Sequence, residues 1–250
     1  MKPPFFIGRT RPPRYTSTLN RCFTTRMQDD LNPLRASAPA QTAPSVAPVP
    51  WRWVGERGLR VETGEATLGC YAALAAKRFR ELEDVVPADG SILLVLRRGA
   101  RPSPELLAGL AVTRAAAEPA PATLHEIAVT YGGAAGPDLP ALARRAGLDE
   151  AAYIRLHADA EYTVAFLGFQ PGFPYLRGLP ERLHAPRRSS PRAAVAAGSV
   201  AVGGAYAGIY PAAGPGGWHV IGRAAVSLFD PGREPPALMR AGDRVRFVPA

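Results

Sequence analysis

From Tyr162 to the C-terminus the chain is cut into short apolar runs, "TVAFLGF", "SVAVGG", "GIYPA", "HVIGR", "VSLFD" and "RVRFVP", separated by Gly, Pro and Asp. No run is long enough for a helix of ordinary length. Many short strands punctuated at this spacing favour a closed or folded-over β structure, here a mostly antiparallel barrel. The alternating strand "HEIAVTY" at 125–131 leads into it. A helix is predicted from Asp138, where Leu139, Leu142, Ala143 and Ala146 recur at i, i+3, i+4 and i+7, with Gly147 as its stop. Another opens at Asp149 and ends near His157. Residues 123–250 therefore read as a β-barrel domain with two helices at its entrance.

Residues 51–122 read as a small α/β domain. "WRWVGERGLRVET" offers short strand pieces, "TLGCYAALAAKRFREL" a helix running to Leu82, and "SILLVL" a buried strand. Ser103 before Pro104 is the usual N-cap and first-turn pair of a second helix. "AAAEPAPAT", at 115–123, is the exit linker. Residues 1–50, with nine prolines, lack the periodic apolar pattern that buries a core, and are expected to be a disordered or mis-annotated extension. Before Met27 there is no acidic residue, so residues 1–26 are either a targeting segment or never translated.

The formal charge of +9 invites a nucleic-acid reading until it is divided along the chain. Seven basic and two acidic side chains fall within the first fifty residues, which leaves +4 for the other two hundred. With no basic stripe and no RNP or zinc-finger pattern, nucleic-acid binding is not expected. No apolar run reaches membrane-spanning length, and two distant cysteines, Cys22 and Cys70, give neither a disulfide framework nor a metal site. A cytoplasmic protein that binds no metal is the expectation.

P-loop, G-x-S-x-G, H-E-x-x-H, C-x-x-C and G-x-G-x-x-G signatures are all absent from the sequence. What remains is a concentration of Gly, Pro, Arg and aromatics in 157–223. "GFQPGFPYLRGLP", residues 168–180, is too proline-rich for a central strand or a helix and too aromatic for a linker. It is either a packed corner or the wall of a site. Pro171 and Gly172 suit the centre of a type II turn that holds Phe169 and Phe173 at its ends, with Tyr175 following. In "APRRSSPR", Arg187 and Arg192 each follow a proline and offer a planar grip on a carboxylate or phosphate. Gly198 and Ser199 allow a ligand close to the backbone. Gly217 supports a turn before Trp218. Among four scattered histidines, His157 is singled out as an acid/base or hydrogen-bond donor, because it closes a helix just before the aromatic segment.

Residues 131–223, carrying "GPDL", "GFQPGFPYL", two Pro-Arg dipeptides, "AGSV", "GIYP" and "PGGW", closely resemble the KipI family, also called allophanate hydrolase subunit 1 or the B-type subunit of 5-oxoprolinase. The likeness continues through "LFDP" and "ALMRAGDRVRFVP", is looser over 51–122, and does not extend to 1–50.

The resemblance implies an α+β protein, a small α/β N-terminal domain followed by a cyclophilin-like β-barrel domain. It implies pairing with a homologous KipA protein, the C-type component of 5-oxoprolinase, the two corresponding to the carboxyltransferase half of urea carboxylase. With a LamB/YcsF-type protein, the A-type component of 5-oxoprolinase, such pairs open 5-oxo-L-proline to L-glutamate in an ATP-dependent reaction, with magnesium. On that expectation Arg187 and Arg192 bind anions, His157 or Tyr210 hydrogen-bonds the lactam, and Phe169 and Phe173 exclude water. Two other readings stay open: a regulatory inhibitor of a sensor histidine kinase, and a carboxyltransferase-type protein acting on urea or allophanate.

Overall fold

A computed structural model describes residues 50–116 and 122–250. The expected extension at 1–50, apart from its last residue, and the middle of the linker at 115–123 lie outside the described residues.

The N-terminal part is a four-stranded sheet with two helices. In chain order it comprises β1 (Trp51–Val54), β2 (Gly58–Glu62), α1 (Thr67–Lys77), β3 (Leu82–Ala88), β4 (Ser91–Leu96) and α2 (Pro104–Ala116), with sheet order β1-β2-β4-β3. Every pairing is antiparallel. Leu59, Val61, Ile92, Leu94 and Leu96 join Cys70 and Leu74 of α1 and Leu106 and Leu110 of α2 in one buried core. The Ser103 hydroxyl accepts the Leu106 N–H, as its N-cap position predicts. The helix expected to reach Leu82 stops at Lys77 instead, with Arg78 in the left-handed region at φ 45°. Phe79 and Leu82 fit a helical spacing, but Leu82 to Ala88 complete the sheet by pairing with β4, so tertiary pairing overrides the local pattern.

The second part begins with β5 (Leu124–Tyr131), α3 (Leu139–Arg145) and α4 (Glu150–Ala158). It continues with β6 (Tyr162–Leu167), β7 (Pro174–Arg177), β8 (Arg192–Val195), β9 (Ser199–Gly203), β10 (Tyr206–Ile209), β11 (Gly214–Gly216), β12 (His219–Ala224) and β13 (Arg244–Pro249). Seven of these close a barrel in the order β10-β7-β6-β13-β5-β12-β9, while β8 and β11 form a separate two-stranded ribbon. The first and last barrel strands, β5 and β13, are its one parallel pair and close it. Closure leaves no unpaired barrel edge, which is how so many short strands become stable together.

Two local expectations change. Pro174–Arg177 is a barrel strand, although the proline content of 168–180 argued against one. Pro174 is its first residue, where the missing N–H interrupts no interior ladder bond. "VSLFD" makes only an isolated bridge, Phe229 to Ala237. The ends of α3 and α4 follow the sequence closely. Gly147, at φ 64°, and Leu148 return their N–H groups to Arg144 and Ala143, and the Asp149 carboxylate accepts the Ala152 N–H.

Side-chain alternation divides the barrel residues between two cores. Val200 and Val202 of β9, Ala207 and Ile209 of β10, and Leu176 of β7 join the main core with residues of α3 and α4. Ala201 faces the other way, into a second cluster with Phe173, Val195, Tyr210, Trp218 and Val220, against which Tyr175 and Tyr206 pack. Successive strand side chains point to opposite faces, so this aromatic cluster lies on the outer wall of the barrel. Its four supporting strands, β7, β10, β9 and β12, are consecutive neighbours. The alternation places the aromatic segment against the outside of the barrel.

Candidate functional site

Glycines make this outer cluster possible. Gly208 lies under Phe173, where a Cβ would come within 2.9 Å of the ring, and Gly203 lies under Trp218, where it would come within 2.6 Å. Both sit on the outward face of their strands. Rings therefore pack directly against backbone. Phe173 makes edge-on contacts at centroid distances of 5.2 Å to Tyr175, 5.2 Å to Tyr210 and 5.3 Å to Trp218. Contacts of this geometry contribute roughly 0.5 to 1.5 kcal/mol each beyond the area they bury.

The predicted turn is present: Phe173 N–H donates to the Gln170 carbonyl at 3.0 Å, and Gly172 has φ 79°. Its two aromatics are not equivalent. Phe173 is 1% exposed and Phe169 is 59% exposed. Phe169 also holds a positive φ of 66°, in a three-residue reversal where Gln170 N–H donates to Gly168. That conformation strains a non-glycine residue, and the result is an aromatic ring held out at the surface beside Phe173 and Tyr210.

Against this cluster lies a pocket of about 180 Å³, walled by Phe169, Phe173, Tyr175, Tyr210 and Trp218. Arg187, Arg188, Pro191, Gly216 and Gly217 complete its lining. Burial raises the Tyr210 pKa above its ordinary value and outweighs the influence of the Trp218 backbone N–H and of the Arg187 and Arg192 charges, so the phenol stays protonated and keeps a proton to donate. Gly216 is required beside it, because a Cβ there would stand 2.3 Å from the hydroxyl.

The two expected anion-binding arginines have separate fates. Arg187 lines the pocket, exposed. Arg192 grips Asp138 with both prongs at 2.8 Å, and Arg188 reaches the same carboxylate at 3.2 Å. Asp138 also accepts the Val220 N–H at 2.7 Å. Burial opposes ionisation of Asp138, but the Arg192 hydrogen bonds, the Val220 N–H and the two positive charges prevail and hold its pKa below the usual carboxylate value. The guanidinium of Arg192 is thus committed to an internal partner; it fixes the loop between β7 and β8 that carries Arg187.

The structure separates the remaining expected site residues from this pocket. His157 is fully buried, its Nδ1 2.8 Å from the Tyr131 hydroxyl, with Tyr162 and Phe247 packed on its ring. Burial lowers its pKa to about 3, so it is neutral and sealed in the main core, unable to meet a substrate. Gly198 and Ser199 face other backbone. Gly198 N–H donates to Tyr210, Gly198 carbonyl accepts from Ala224, and Ser199 N–H donates to Ala196. Gly198 instead borders a wider groove of about 890 Å³, whose walls are mainly alanines, Ile127 and Val226. That groove is larger and carries Glu126, Thr130 and Arg223, but it has no aromatic wall, so the aromatic pocket is the better candidate. Pro171 is exposed, and Gly172 backs onto Leu228 and Phe229. Phe169, Phe173, Tyr175, Arg187, Tyr210, Gly217 and Trp218 do come together.

Sequence reading missed Asp138, Arg188, Pro191 and the glycine floor. In the sequence Asp138 marks only the start of a helix; it stands at the N-cap of α3, yet its side chain makes no cap bond. Gly203 and Gly208 did carry a signal, since glycine within a strand pattern marks a close approach. Among the described residues no group of three or more His, Cys, Asp or Glu converges as a metal site would require, and no helix is long and apolar enough to cross a membrane.

A family model for the carboxyltransferase domain, subdomain C and D, matches residues 50–239. Over 119 residues the sequence is 60% identical to the B-type subunit of 5-oxoprolinase from Escherichia coli O157:H7, covering 48% of this chain and 55% of that protein. It is 50% identical over 118 residues to the B-type subunit of 5-oxoprolinase from Bacillus subtilis (strain 168), covering 47% of this chain and 49% of that protein. The chain thus spans about half the length of the curated relatives it matches. The crystal structure of TTHA0988 superposes with a TM-score of 0.66 at 37% identity, covering 78% of this chain and 40% of that one.

Proposed function

The chain belongs to the carboxyltransferase domain family, subdomain C and D, and from that membership we propose that it is one component of an ATP-dependent 5-oxoprolinase. It contributes one wall of a composite site in which 5-oxo-L-proline is opened to L-glutamate. The names of the two curated relatives supply the substrate. The observation that carries the reading is the aromatic pocket with Arg187 on its lining. About 180 Å³ is well below the roughly 300 Å³ at which sites for drug-sized ligands begin, and suits a small cyclic amide.

In this reading the substrate carboxylate pairs with Arg187, a charge-assisted contact. Tyr210 donates its hydroxyl proton to the lactam oxygen, and the faces of Phe173, Tyr175 and Trp218 hold the ring and exclude water. No base or nucleophile lines the pocket. The catalytic groups therefore come from a homologous KipA-type partner and a LamB/YcsF-type protein, the C-type and A-type components of 5-oxoprolinase, and the chain is inactive alone. The pocket is too small for a nucleotide, so ATP and its magnesium do not share it, and no step is assigned to them on these residues.

Co-expression with both partner proteins tests the proposal. The expected result is ATP hydrolysis that depends on 5-oxoproline, with glutamate formed in step, and none when this chain is left out. Equal turnover without it would overturn the reading.

A further inference from the structure

The loop that carries Arg187 has a second side. Adjoining the aromatic pocket through Arg187 and Arg188, a cleft of about 650 Å³ opens between α3 and residues 186–190, lined also by Arg145, Ser189, Ser190 and His219 along with Ala141, Leu142 and Pro186. Three guanidiniums, two hydroxyls and an imidazole share one concavity with no carboxylate in its lining. We propose that this cleft binds a phosphate-class polyanion, such as pyrophosphate or the phosphate arm of a nucleotide.

Three observations distinguish the cleft from an ordinary solvated basic loop. The nearest carboxylate, Asp138, is engaged by Arg192 through both oxygens and by Arg188 at 3.2 Å, and among the described residues no ion pair is formed by Arg145 or Arg187, so these two charges face the cleft. The same bonds, with Arg188 at 3.2 Å from Asp138, hold the loop in place before any ligand arrives. His219 is oriented as well: its Nε2 lies 3.0 Å from the Pro186 carbonyl, which can only accept, so Nε2 carries the proton and the ring is anchored at the cleft wall. Like charges gathered in a concave wall focus the field and favour a ligand with several negative charges over a monovalent one. Planar guanidiniums match phosphoryl oxygens in pairs.

The cleft shares Arg187 and Arg188 with the aromatic pocket, but Arg145, Ser189, Ser190 and His219 line the cleft alone, so the proposal does not rest on what the pocket binds. It is tested by calorimetric titration of the full chain, without partners, with pyrophosphate, inorganic phosphate, AMP and adenosine. Saturable binding of pyrophosphate, tighter than phosphate and weakened by added salt, is expected. Arg145→Ala, an exposed change at the end of α3 that touches the cleft and not the pocket, should weaken pyrophosphate about tenfold with unchanged thermal unfolding. AMP that competes with pyrophosphate while adenosine does not identifies a nucleotide as the source; pyrophosphate bound without AMP competition identifies a free phosphate compound. No saturable binding at millimolar pyrophosphate, or an affinity unchanged in Arg145→Ala, overturns the proposal.

Discussion

Asp138 and Arg192, 54 residues apart in sequence, meet through two parallel hydrogen bonds of 2.8 Å between carboxylate and guanidinium. The pair ties the start of α3 to the start of β8 and receives Arg188 and the Val220 N–H on the same oxygens. It fixes the loop that separates the aromatic pocket from the basic cleft.

Removing one partner leaves the other charge half-buried and unpaired. Asp138→Ala is therefore expected to destabilise the protein by about 3 kcal/mol, and Asp138→Asn by less. Chemical denaturation of the two variants at neutral pH measures this. A loss under about 1 kcal/mol for the alanine variant would mean that the loop is held by other contacts.

Arg187 and Arg192, alike in sequence, should respond oppositely to substitution. Arg187 is exposed on the pocket lining, so Arg187→Ala should leave the unfolding midpoint unchanged and raise the KM for 5-oxoproline about tenfold or more in the reconstituted complex. Arg192→Ala should lower stability first. If both variants fold as the parent and lose turnover equally, the separation of roles is wrong.

Gly216 leaves room for the Tyr210 hydroxyl and no more. Gly216→Ala would put a methyl 2.3 Å from that oxygen and force the ring to move, costing about 1 to 3 kcal/mol and disturbing the pocket. The Tyr210→Phe variant is the companion measurement: it keeps the shape, so it should bind substrate more weakly without the loss of stability. Urea denaturation and KM, read together, separate the two effects.

His157 predicts an acid limb in stability. The imidazole titrates near 6.5 when unfolded and near 3 in the fold, because burial disfavours its charged form. The folded state then binds fewer protons, so this contribution is complete above about pH 6.5 and is lost as pH falls toward 3, by up to about 1.4 kcal/mol per unit. Tyr131, Tyr153 and Tyr162 around it have pKa values raised by burial and stay neutral across that window. Melting temperatures followed from about pH 7 to about pH 4 should fall more steeply for the parent than for His157→Gln. Parallel slopes would assign the acid sensitivity to other groups.

Much of the architecture was legible in the sequence for local reasons. Asp149 and Ser103 cap helices with their own side chains, Gly147 ends α3 with a positive φ, and Pro171 with Gly172 makes the turn before Phe173. Short apolar runs between turn residues pointed to the barrel, and the concentration of aromatics, Gly and Pro in 168–218 held most of the pocket wall. Each of these depends on a few neighbouring residues.

Decisions that needed the whole chain were not legible. Nothing within "APRRSSPR" tells Arg187 from Arg192; Asp138, far upstream in the sequence, selects which of them is held inside and which is left to meet a ligand. His157 ends its helix as expected, but the closing of β13 beside β5 and β6 seals it under Phe247 in the core. Alternation along β9 decides that the aromatic cluster lies on the outer wall of the barrel. The sequence determined which segments become strands, helices and turns, because those preferences are local. Which side chains are buried, paired or open to a ligand was decided only when the barrel closed, because burial and charge pairing belong to groups that folding brings together.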